Sequence, residues 1–126
     1  LDKQLIDAPL HRYELANGER RVRVSSEGKE SKTQWNVAER FMHATLVYAS
    51  PLSGRTHQIR VHGLSIGHPL VGDDKYGHET EYKGPKPRRL CLHAMRLDIP
   101  GYAPIEAPLP EDMQSIVAQL RAQKKD

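Results

Sequence analysis

The chain has 126 residues, with 19 Lys+Arg against 16 Asp+Glu, a formal net charge of +3 and a sequence pI near 9.1. That length fits one domain with an ordinary core, and the mild basic excess permits a polyanionic partner without requiring one. A single cysteine, Cys91, excludes an internal disulfide framework and points to the cytoplasm, while the lack of any apolar run near the ~18 residues that cross a bilayer, or of a signal-peptide pattern at the N-terminus, argues against membrane association.

From Arg21 to Ser25 polar and apolar residues alternate, and Asn17-Gly18 just before them suits a tight turn whose central residues need positive φ; a hairpin is expected over Leu10–Ser25. Ser26-Glu27-Gly28-Lys29 reads as a further turn, followed by an extended segment to Phe41 with Thr33, Trp35 and Val37 on one face. Ala44–Ala49 is almost entirely apolar or β-branched and is expected to be a buried strand antiparallel to its predecessor. Pro51 and Gly54 end it. Thr56–Ile66 then reads as a short helix closed by Gly67, with Pro69 just beyond. Gly67–Arg89 is rich in glycine, proline and charge and is read as loop, Leu90–Ile99 returns to strand character, and Met113, Ile116, Val117 and Leu120 mark a final amphipathic helix before a basic tail, Arg121–Asp126, that frays. Short connections between strands, with few helices, indicate an α+β fold with a largely antiparallel sheet.

The densest cluster of functional side chains is Ser53-Gly54-Arg55-Thr56-His57-Gln58-Ile59-Arg60-Val61-His62, which gathers two guanidiniums, two imidazoles and an amide around a helix start. Three-and-four spacing puts Arg60 on one face with Thr56, His57, Gly63, Leu64 and Gly67, and the two glycines leave room beside it. Gly63 inside the helix costs about 1 kcal/mol relative to alanine, which close approach of another group would explain. An arginine in such a cleft suits a carboxylate gripped through two parallel hydrogen bonds. Taken alone, the same residues equally describe a capped helix with exposed basic side chains. His57 and His62 are five apart, on different helix faces, so they do not form a metal-ligand pair, and no metal site is expected.

Three blocks in order, Gly54-Arg55-Thr56-His57-Gln58-Ile59-Arg60-Val61-His62, then Gly67-His68-Pro69-Leu70-Val71-Gly72-Asp73-Asp74-Lys75-Tyr76-Gly77, then Leu90-Cys91-Leu92-His93-Ala94, resemble the C-terminal signature of the RluA-type pseudouridine synthases. The likeness continues through Asp7-Ala8-Pro9-Leu10, Arg21-Val22-Arg23-Val24-Ser25, Glu27-Gly28-Lys29 and Glu106-Ala107-Pro108-Leu109, so it covers nearly the whole chain.

The resemblance implies that residues 1–126 are the C-terminal portion of a pseudouridine synthase catalytic domain, acting without cofactor on large-subunit (23S) ribosomal RNA. In that family an aspartate attacks the target nucleotide and an arginine of the helix motif pairs with it; by motif position the arginine is Arg60, not Arg55. The aspartate belongs to a His-Arg-Leu-Asp motif upstream of these residues, and Asp2 in Leu1-Asp2-Lys3 lacks its context, so the nucleophile is expected to be absent and these 126 residues alone inactive. Arg55, His57, Gln58, His62, Lys75 and Tyr76 are the candidates for substrate contact, through phosphate, the partner aspartate or a stacked base. Strand alternation sends Leu92 and His93 to opposite faces; the family pattern has Leu92 line the uracil pocket, His93 reads as a satisfied core histidine, and Lys83–Arg89 is a basic segment that suits phosphate contact and equally a solvated loop. The alternative from a different class is a noncatalytic RNA-binding module in which the same cations only position phosphates. A third expectation concerns association: if sheet edges are exposed, the chain pairs with itself.

Overall fold

The computed structural model describes residues 2–77 and 82–123. Among these residues seven strands and two helices follow in the order β1 (Lys3–Asp7), β2 (Leu10–Glu14), β3 (Arg20–Val24), β4 (Lys32–Arg40), β5 (Thr45–Pro51), α1 (Gln58–Ser65), β6 (Arg96–Leu97), β7 (Ile105–Glu106) and α2 (Glu111–Gln123). Every strand pair is antiparallel. The order β1-β4-β5 makes one sheet, and β2-β3 and β6-β7 are separate two-stranded ribbons. The architecture is α+β.

The expected hairpin forms, with a different turn. Leu15 N–H donates to Glu19 O at 2.8 Å and Gly18 N–H to Leu15 O at 2.9 Å, and only Gly18, at φ 87°, has a positive φ. This is a tight turn followed by a left-handed glycine bulge, in which Asn17 keeps an ordinary φ and its Oδ1 instead accepts the Glu19 N–H at 2.8 Å. An isolated bridge from Leu10 to Lys29 ties the ribbon to the segment before β4. Between Val37 and Glu39 the β4–β5 register shifts, leaving Ala38 as the extra residue of a bulge.

Helix α1 starts two residues later than the sequence suggests, because His57 adopts a left-handed conformation at φ 52°. Its end follows from chemistry. Gly67, at φ 81°, donates to Leu64 O at 2.9 Å, and His68 N–H reaches back to Gly63 O at 2.9 Å, the paired bonds by which a glycine reverses the chain after a helix. The helix packs over β3, β4 and β5. Beneath it, Leu10, Val22 and Val61 form the apolar core, with Tyr76 against them, and a second, polar layer is equally buried: Ser31, Thr33, Gln58, His62 and Asp73.

Two expectations need correction. All of the Ala44–Ala49 run except Ala44 forms an antiparallel strand, but β5 is not buried: among the described residues it lies at the sheet's edge beside β4 alone, and Tyr48 is half exposed. Of Leu90–Ile99, only Arg96–Leu97 is strand. The alternation there is real, but a strand also needs a partner ladder, and β7 supplies two residues of one. Upstream the backbone turns, with Leu92 N–H to Leu90 O at 3.0 Å and Cys91 N–H to Val71 O at 2.8 Å, so Leu92 and His93 do not alternate across a sheet. In α2 the stripe of Met113, Ile116, Val117 and Leu120 is turned inward as expected, with Leu120 fully buried. The expected loop Gly67–Arg89 is loop where described, its residues 78–81 lying outside the described residues. Arg121, at the start of the basic tail, is held by Glu39 at 2.9 Å; residues 124–126 of that tail also lie outside.

Candidate active site and RNA interface

The Gly67 reversal sends residues 68–77 back along α1, and that return brings Asp73 to Arg60. Arg60 Nε donates to Asp73 Oδ2 at 2.9 Å and Nη2 to Oδ1 at 2.7 Å, a two-bond fork-to-carboxylate pair. Asp73 has no exposed side-chain surface and Arg60 only 16%. Asp73 Oδ1 also accepts the backbone N–H groups of Lys75 and Tyr76, each at 3.1 Å. Burial pushes this carboxyl's pKa up, but the Arg60 hydrogen bonds and charge and the two amides outweigh it, and the net shift is downward. Asp73 therefore stays ionised. Among the described residues Arg60 Nη1 has no hydrogen-bond partner.

Tyr76 closes one side of the pair. Its ring lies 5.1 Å below the Arg60 guanidinium, a cation over a π face, and 5.5 Å from the His57 ring, edge to face. Its hydroxyl accepts Val22 N–H at 3.1 Å and so has its proton free for His57 Nδ1 at 2.8 Å. The His57 pKa is lowered by burial first and by the charges of Arg60 and Lys75 next, so the imidazole is neutral at neutral pH.

Beneath the helix start a closed polar network uses up two further candidates. Gln58 Nε2 donates to Lys32 O at 2.8 Å and Thr33 Oγ1 at 3.0 Å, and its Oε1 accepts Ser53 Oγ at 2.7 Å and Arg55 N–H at 3.1 Å. Every hydrogen-bonding position of that amide is filled. His62 Nε2 meets Ala8 O at 2.9 Å, and a carbonyl only accepts, so Nε2 carries the proton and Nδ1 accepts the Thr33 hydroxyl at 2.8 Å. His62 is wholly buried.

The structure thus sorts the expected contact residues. Arg60, His57 and Tyr76 meet in one cluster. Gln58 and His62 are corrected from contact residues to internal supports, since neither has a free polar atom facing outward. Lys75 lies beside the cluster but pairs with Glu19 at 2.9 Å. Arg55 is exposed, its Nε and Nη2 donating to Glu30 O at 3.3 and 3.1 Å, with no carboxylate partner among the described residues. Leu92 stays half-buried in the turn after Leu90. His93 donates its Nε2 proton to Ala107 O at 2.9 Å and is only partly buried. Asp73 and Thr33 support the cluster without a sequence signal that marks either as a site residue. Their only signal was Asp73's place in the glycine-rich block after α1, and no spacing rule links it to Arg60 across a chain reversal. Among the described residues no group of three or more His, Cys, Asp or Glu could hold a metal ion, and no helix is long and apolar enough to cross a membrane.

No family model matches the chain. It is 48% identical over 124 residues to ribosomal large subunit pseudouridine synthase C of Yersinia pestis, covering 92% of this chain and 39% of that protein. Proteins of the same name from Haemophilus ducreyi and Escherichia coli K12 are 46% and 45% identical, with 95% and 92% of this chain and 40% of each relative covered. The chain spans about two fifths of the length of these relatives. Among solved structures, human RNA pseudouridylate synthase domain containing 1 superposes with a TM-score of 0.73 at 28% identity, over 100% of this chain and 62% of that one. Human RNA pseudouridylate synthase domain containing 4 gives 0.72 at 25% identity, over 95% and 57%.

Proposed function

Because the chain belongs to the pseudouridine synthase family over the portion it shares with these relatives, we propose that the protein carrying it isomerises uridines to pseudouridine in large-subunit (23S) ribosomal RNA. On this reading residues 1–126 are the C-terminal portion of the catalytic domain, and an upstream portion brings the nucleophilic aspartate. The reaction breaks the bond from ribose C1′ to uracil N1, turns the base, and joins C1′ to C5. N1 gains a proton and C5 loses one, so substrate and product are isomers and no cofactor is consumed.

The observation that carries the reading is the state of Arg60. Asp73 holds its Nε and Nη2, which fixes the guanidinium plane, and Nη1 would take a second carboxylate. A cation so placed would keep that incoming aspartate ionised and aimed, since an opposite charge favours the charged form. Tyr76 and His57 would wall the approach. Arg55, exposed and without a carboxylate partner among the described residues, would meet RNA phosphate, and a structured target base would leave its stack at a cost of a few kcal/mol, offset by such contacts.

The test is tritium release from 5-tritiated uridine in ribosomal RNA by the full-length protein. Arg60→Ala is expected to abolish release while RNA binding is largely kept. Full turnover by that variant would overturn the assignment, and absence of release from the unaltered protein would favour the noncatalytic RNA-binding reading, in which Arg60 is simply neutralised by Asp73.

A further inference from the structure

A groove of about 530 Å³ lies between β3 and α1, on the side of β3 that has no strand partner among the described residues, and Tyr76, which lines it, also lies under the Arg60 guanidinium. We propose that this groove is a second RNA subsite, taking one unpaired nucleotide beside the target uridine, its base on the Tyr13–Arg23 pair and its phosphate on Arg21, Arg23 and Lys75. RNA as the occupant rests on the function proposed above.

Register explains the chemistry. Tyr13 lies opposite Arg21 and His11 opposite Arg23, so these four share the ribbon face that Leu10 and Val22 do not use. On the Leu10 and Val22 face those two side chains are buried while Val24 is 43% exposed at the groove, and on the other face Arg23 is exposed with Tyr13 and Arg21 half-buried beside it. Arg23 stands 4.8 Å over the Tyr13 ring, and no carboxylate engages it among the described residues. Arg21 is poorly satisfied: its Nη2 reaches Glu19 at 3.4 Å and its Nε is buried without a partner. An unmet buried donor is costly, and an arriving acceptor would relieve it if the side chain turns outward. One carboxylate, Glu19, serves both Arg21 and Lys75, which leaves the groove wall with excess positive charge. The apolar lining from Val24, Val61 and Leu64 suits a base rather than a hydrated ion. Aromatic stacking with flanking cations is how single strands are held without sequence readout.

The experiment measures anisotropy of a fluorescein-labelled octauridylate with the full-length protein over a series of NaCl concentrations. Arg23→Glu is expected to weaken binding roughly tenfold and flatten the log–log salt slope by about 0.7, the share of one single-strand phosphate. Tyr13→Ala is expected to weaken it roughly tenfold with the slope unchanged, because a stacked base releases no counterion. Arg23→Gln, which keeps size and polarity, is expected to lie between the parent and Arg23→Glu. If all three variants bind as the parent does, the subsite is wrong. Equally, if they melt well below the parent yet bind octauridylate normally, a segment of the protein itself fills the groove and the proposal falls. Tritium release separates the two readings: Arg60-dependent release with normal binding by the groove variants sinks the subsite alone. No release from the parent, with binding lost in the variants, sinks the isomerase alone.

Discussion

Thr33 and His62 face one another across the β4–α1 interface, the hydroxyl donating to Nδ1 at 2.8 Å while it accepts from Gln58 Nε2 at 3.0 Å. Thr33 has no exposed surface, so water cannot replace it. Thr33→Val keeps the shape and removes both bonds, leaving a buried acceptor on His62 and a weakened donor on Gln58. A loss of about 2 kcal/mol is expected in urea unfolding. A change within a few tenths of a kcal/mol would mean that the network does not hold α1 to the sheet.

Asp73 ties acid stability to the site. Its native pKa is below the ordinary aspartate value of about 3.8, so the unfolded chain binds the proton first. The stabilisation is complete above that value and is lost as pH falls through the lower native one. Asp73→Asn should cost about 3 kcal/mol at neutral pH by stranding Arg60. It should also flatten the fall of the urea midpoint below about pH 4. An unchanged acid slope would show that other carboxylates carry it.

Two glycines four residues apart should respond differently to alanine. A Cβ on Gly63 would lie 2.9 Å from His68 O, 3.0 Å from Leu70 Cδ1 and 3.2 Å from Trp35 Cη2. The roughly 1 kcal/mol gain in helix propensity is outweighed by this crowding against backbone, and Gly63→Ala should lower the melting temperature. Around Gly67 there is open space, yet its φ of 81° suits glycine, so Gly67→Ala should cost about 1 kcal/mol and Gly67→Asn less. A tolerated Gly63→Ala would mean that the His68 turn gives way.

His57 should titrate, by NMR, below its ordinary value of about 6.5. Burial is the chief cause, with the Arg60 and Lys75 charges behind it, so Lys75→Gln should move the midpoint upward. Folding then disfavours the charged ring, and the stabilisation from its neutral form is present above 6.5 and lost as pH falls. A midpoint at or above the ordinary value would contradict the buried setting of the ring.

Local signals carried the elements that need only themselves. Gly18 marks the ribbon turn and Gly67 the end of α1, because each supplies a backbone angle other residues resist. Signals that depend on a partner failed: Leu90–Ile99 alternates like a strand, but only two of its residues find a ladder. The site divides the same way. Type and motif single out Arg60, His57 and Tyr76, which the fold brings together, whereas Gln58 and His62, of the same chemical kind, are spent on internal bonds. Sequence shows that a side chain is polar. It does not show which way the finished interior turns it.

Thirteen positions separate Arg60 from Asp73, against fifty-four between His62 and Ala8. The entropy of joining two points on a chain grows only slowly with the span, yet the shorter closure is sampled sooner and more often. Helix, reversal and ion pair thus form a unit whose closure does not depend on the segment around Ala8. The orientation of the guanidinium would then be set by its immediate neighbours, with the distant segments docking onto a geometry already in place.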